Sequence, residues 1–371
     1  MARTVSFGST ESSTPKAGGV YNIDGSGNGV YGYSLISNST GDNGMFASLY
    51  TGSNISNLKI FKISTAAPNS ATSDYTLGLI AGRNNGIIKD VRIIKSKIGM
   101  SGGAINISGA GSFGSVGGVV GINDTNGELN GIKTTTRVDF TKTVYGSISS
   151  QLYLGGIVGI NNGTIKASKF QDEYIFDPNY MSSIFEHYAA LAAVNAGTIT
   201  SSTLSPNYYA FSSVTAGGAL KLGLIAEVNN GNISDMLVGG SINLTNVSSL
   251  TYGLLVTEPS AGSSLRRTIY IPSSTTGFFP TTSTALFPSG GIVSESFCIH
   301  TTSGCMTSTT GQFSFTSPNF SAGTFVSNSN AWNMADSSAN STTATWIFKD
   351  ANTPPNLYEK EASLAGMGSG F

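Results

Sequence analysis

The chain has 371 residues, of which 39% are apolar, enough to bury a core, but only 11% are charged and the net charge is −1. Globular domains usually carry about a quarter charged residues, and so neutral a balance supplies no field to draw in nucleic acid or an anionic membrane. No apolar run approaches the roughly 20 residues of a membrane span, and although 47 glycines with abundant Ser, Thr and Asn would suit disorder, Val/Ile/Leu runs return at fixed intervals and supply surface to bury.

Residues 1–43 are rich in Gly, Ser and Asn, with isolated apolar points at Val20, Tyr21, Ile23, Val30 and Tyr31. They read as an irregular cap, because the end of a repeat stack must hide an open edge. The opening Met1 to Ser6 has no apolar signal-peptide core, so the expectation is a leader already removed, another export route, or release by lysis, as phage parts are. Gly44 to Ile60 is a worn first copy of a unit that becomes clear further on. The unit recurs as Leu77 to Ile93, Gly117 to Ile132, Leu154 to Phe170, Ala189 to Leu204 and Leu222 to Leu237. The glycine closing each turn falls at Gly86, Gly127, Gly163, Gly197 and Gly231, at spacings of 41, 36, 34 and 34. A period of that length marks a solenoid or a propeller.

Each unit opens with a short apolar run containing small residues, such as Ile157-Val158-Gly159, which suits a strand buried where backbones approach closely. Asn-Asn-Gly or a variant follows, and these residues accept left-handed backbone angles, so a sharp corner is expected there. Alternation then starts a second strand at Ile165, Ile199 or Ile233. A third strand is suggested by the likeness of Gly102 to Ser108 and Gly239 to Thr245. One Asn-Gly corner per unit favours a coil over a propeller blade, which needs four antiparallel strands. Stacked coils would place Ile on Ile and Asn on Asn, the latter as an amide ladder. The expected fold is therefore all-β: a right-handed parallel β-helix (β-solenoid) of six or seven rungs over 44–267, with the irregular cap at 1–43 and a small C-terminal β module at 268–371. The hand follows from the general preference of parallel crossovers.

The segment Gly155 to Ile165, G-G-I-V-G-I-N-N-G-T-I, resembles the GLUG repeat of bacterial surface proteins. Phe297-Cys298, Trp332, Thr345 to Asp350 and Pro354 to Tyr358 resemble the module that commonly follows such repeats. The resemblance implies a secreted or cell-surface, adhesin-like protein and offers no catalytic residue to carry over.

Function is expected on segments that leave the coil. The foremost is Gln171 to Tyr188, with Asp172, Tyr174, Phe176, Asp177, Tyr180, Phe185, Glu186 and His187 as candidate ligand-binding residues. Aromatic faces stack on sugar rings and carboxylates accept sugar hydroxyl hydrogens; the alternative reading folds the same aromatics back over the solenoid wall. Ser205 to Gly217 and Thr268 to Gly291 interrupt the rhythm as well. The expected activity is non-catalytic binding of a cell-surface glycan or protein receptor by an adhesin or fibre tip, extracellular or on a virion, with homo-oligomer or fibre assembly open. The rivals are a polysaccharide-degrading β-helix enzyme and a structural filament subunit. A lyase needs a base together with positive charge, and Arg137, Lys142, Lys166 and Lys169 look scattered over different rungs. No cofactor or metal is expected, since His300 alone cannot complete a tetrahedral set. Cys298 and Cys305, with Gly304 between them, read either as two separate thiols or as a hairpin disulfide; the bonded form is the expectation.

Overall fold

The computed structural model describes residues 18–31, 34–36, 41–66, 70–71, 74–100, 104–107, 113–140, 143–146, 151–176, 185–205, 208–214, 220–240, 242–247, 250–252, 255–272, 290–294, 296–300, 312–316, 334–336, 346–348 and 356–357. Among these the regular structure is strand throughout, and no helix is long and apolar enough to cross a membrane. The strands stack as a parallel β-solenoid.

One rung shows the plan. Tyr75–Gly78 runs along a first face, Ala81–Asn84 along a second, and Ile87–Lys89 followed by Arg92–Met100 along a third. The first and second faces are seven-stranded parallel sheets, and each strand pairs with its equivalents in the rungs before and after. Parallel pairing between equivalents brings like residues together. Ile23, Ile55, Ile88, Leu129, Ile165, Ile199, Ile233, Leu265 and Val293 form one continuous register column along the third face. From Ile55 to Leu265 every member is fully buried. The expected columns through Ile80, Ile157 and Ile225, and through Ile88, Ile165, Ile199 and Ile233, both lie in the core.

The asparagine ladder is present. Asn84, Asn123, Asn161, Asn195 and Asn229 are buried, and each Nδ2 donates to the next residue's Oδ1 at 2.7–2.8 Å. Bonds aligned in one direction polarise one another, which strengthens the row. It stops at both ends: Leu49 precedes Asn84 in register and Pro259 follows Asn229. There the terminal carboxamides turn back on their own corners, Asn84 Oδ1 accepting from Gly86 N–H and Asn229 Nδ2 donating to Gly231 C=O.

Two expectations are corrected. The Asn-Gly corner is not where the chain goes left-handed. Positive φ falls four residues after each corner glycine, at Asp90, Gly131, Ala167, Ser201 and Asp235. The corner glycines serve close approach instead: a Cβ on Gly163 would lie 2.2 Å from the Gly127 carbonyl oxygen, and one on Gly197 2.0 Å from that of Gly163. Second, the two segments matched as a third strand are not equivalent. Ala104–Ile107 joins a separate three-stranded sheet with Ser70–Ala71 and Thr143–Gly146, whereas Ile242–Val247 pairs with Tyr208–Val214 on the third face.

The ladder runs past both expected boundaries. Asn22–Asp24, Gly29–Tyr31 and Ser34–Ile36 already pair with the next rung, and Ser264–Pro272, Ser296–His300 and Gln312–Thr316 carry it onward. Beyond lies a small sheet of Met334–Asp336, Trp346–Phe348 and Asn356–Leu357, whose last pairing is antiparallel. Cys298 is placed by its backbone alone, opposite Tyr270; Cys305, and with it the expected disulfide, lies outside the described residues.

Candidate binding face

The stretch from Gln171 to Tyr188 leaves the coil less than its sequence suggests. Glu173–Phe176 is a rung strand, pairing Tyr174 with Val138 and Tyr209 and Phe176 with Phe140 and Phe211. Phe185–Ala189 is another, with Phe185 opposite Gln151 and Glu186 opposite Leu152. Asp177 and Tyr180 lie outside the described residues. Asp172 is fully buried, and its carboxylate accepts from Thr134 Oγ1 at 2.5 Å and from Thr136 N–H and Oγ1 at 2.5 and 2.8 Å. Thr134 occupies a column position held by Ile93 and Phe170 in the neighbouring rungs. Asp172 thus satisfies hydroxyls that an otherwise apolar column would strand.

His187 is bound inward. Its Nδ1 lies 2.8 Å from Oε1 of fully buried Glu227, whose Oε2 accepts from Tyr188 N–H at 2.8 Å. The Tyr153 ring stacks on His187 at 4.9 Å with a 9° tilt. Burial pushes the Glu227 carboxyl above the usual carboxylate range, against the pull of the His187 and Tyr188 hydrogen bonds. Burial likewise raises the Tyr153 phenol, with the Glu227 charge adding to it.

Of the cations named as scattered, Lys169 falls into line with three others. Lys59 pairs with Arg92, Arg92 with Lys133, and Lys133 with Lys169, so four successive rungs present a cation at one register position. All four are partly exposed. Gly29 precedes this column and Thr203 follows it, so the row is four rungs long. Neighbouring strands lie about 4.8 Å apart, where two like charges repel by about 1 to 3 kcal/mol across the range of effective dielectric at a protein surface. On the same face Lys166 Nζ lies 3.0 Å from Glu128 Oε2, and Arg267 grips Asp235 with two bonds of 2.7 Å.

Two residues further along each strand runs a second outward column of Tyr31, Phe61, Ile94 and Thr135. Between the two columns, Arg92, Lys133 and Lys169 on one side and Ile94, Thr135 and Gln171 on the other line a groove of about 340 Å³, with Lys95 at its corner. That is the size range of small-ligand sites. Arg92 Nε–H is buried in its wall without a hydrogen-bond partner.

The signal was present in the repeat. Leu58-Lys59-Ile60, Val91-Arg92-Ile93, Ile132-Lys133-Thr134 and Ser168-Lys169-Phe170 hold their cations at one point of the unit. Residues 59–169 contain 12 of the 19 Lys+Arg but only 5 of the 20 Asp+Glu, an excess hidden by the net charge of −1. No family model, curated protein or solved structure matches this chain.

Proposed function

We propose that this chain is a non-catalytic binding protein of the adhesin or fibre-tip kind, acting outside the cell, and that it holds an extended ligand, a cell-surface glycan, against the cationic face. The observation that carries this reading is the in-register stack of Lys59, Arg92, Lys133 and Lys169 beside the groove. Stacked rungs are rigid, so the backbone that carries these side chains is in place before binding and adds little to the ordering cost. Glu173–Phe176, the strand that carries Tyr174 and Phe176, begins two residues after Gln171 of the groove wall, so the aromatic stretch adjoins this face in the chain.

The test is a glycan array probed with the labelled full chain and with a K133Q/K169Q variant. Retention on a subset of glycans that drops with the variant is the expected result. Equal retention of both proteins, or conversion of any retained glycan to a shorter product, would overturn it.

A further inference from the structure

Resting on that reading of the face, we propose that its ligand is a linear anionic polysaccharide bearing carboxylate or sulfate groups, laid along the solenoid axis across Lys59, Arg92, Lys133 and Lys169.

The direction follows from the register. The cations are not spread over a patch but lie in one column, one per rung, so only a ligand parallel to the stack meets all four. The column spans three strand spacings, about 14 Å. A polymer with acidic groups at regular intervals matches such a row, whereas a single small anion would span only one or two rungs of it. Guanidinium and ammonium groups both suit these anions, and Arg92 adds planar, two-pronged recognition of carboxylate or sulfate.

The second rail separates a sugar polymer from a nucleic acid. Single-strand binders offer aromatic platforms to successive bases. On the second rail itself the aromatics are Tyr31 and Phe61, in the first rungs. Tyr31 and Phe61 lie 5.7 Å apart, tilted at 57°, while a base between two rings would part them by about 7 Å. From Arg92 onward the rail is Ile94, Thr135 and Gln171, which serves ring C–H faces and hydroxyls rather than bases. Tyr31, 64% exposed, suits the apolar face of one sugar at the end of the row.

The experiment measures binding of the full chain to polygalacturonate, dextran sulfate, uncharged dextran and an oligothymidylate. At least one acidic polysaccharide should bind about 10-fold more tightly than dextran and lose about 10-fold as salt rises from low to moderate concentration, as phosphate-polymer contacts do. Comparing the two acidic polymers tells carboxylate from sulfate as the preferred group. R92Q/K133Q/K169Q should weaken binding by about 10-fold or more with an unchanged circular-dichroism spectrum. T203K, which adds a cation at the next rung of the column, should tighten it several-fold, a gain that misfolding could not mimic. Failure of both acidic polymers to bind at low salt, or tighter binding of the oligothymidylate, overturns the proposal. Dextran binding at equal strength and being lost in the triple variant overturns the acidic class while leaving the glycan face intact. Undiminished binding by the triple variant overturns the face itself, and the proposed function's site with it.

Discussion

Gly163 shows how little room a single position in this stack allows. A methyl group there would meet the Gly127 carbonyl oxygen at 2.2 Å, a backbone atom that moves only if a whole rung moves. Gly163→Ala should cost about 2 kcal/mol or more despite a φ that any residue tolerates, read as a lower melting temperature with unchanged strand content. Glu227 has a different expectation. Its folded pKa is raised by burial, so the folded protein holds that proton more tightly than the unfolded chain does. Its contribution to stability is therefore full below the unfolded carboxylate pKa and is lost as pH climbs through the raised folded value. Urea titrations across that window should show the unfolding free energy of the parent falling relative to Glu227→Gln. A difference that stays constant with pH would show that this carboxyl does not titrate as its burial implies.

At the scale of the element, the asparagine row is a unit rather than four separate bonds. Asn161→Leu removes the acceptor of Asn123 and the donor to Asn195, leaving two buried polar groups short of partners at about 1 to 2 kcal/mol each. A loss of about 2 to 4 kcal/mol in chemical denaturation is expected, larger than for an exposed asparagine such as Asn232 at the same corner. This row and the isoleucine columns were legible in the sequence, because like residues recurring at one point of a unit must coincide when the units stack in parallel. The role of the corner glycines was not. A left-handed turn and a close backbone approach both exclude a Cβ, and only coordinates separate them. Nor was the inward pairing of Asp172 and His187 readable, since it depends on Thr134, Thr136 and Glu227, residues about 35 to 40 positions away that arrive with neighbouring rungs. The cation column was as legible as the isoleucine one, but an average over the whole chain hid it.

For the whole molecule, that column sets like charges one strand spacing apart on one face. Salt usually weakens surface electrostatics that stabilise a fold; here it should do the opposite. The Debye length shrinks from about 30 Å at 0.01 M to about 3 Å at 1 M, so the melting temperature should rise with sodium chloride, and rise less in R92Q/K133Q. A melting temperature that falls or stays flat would mean the repulsion is already neutralised within the fold. The blocked ends of the amide row bear on how the chain reaches this state at all. Rungs so alike could be threaded one step out of place and still bury isoleucine on isoleucine. Leu49 and Pro259 make such a slip costly, because a carboxamide shifted against either would lose its partner inside the protein. They act as bookends, fixing which shelf each volume belongs on before the row is full.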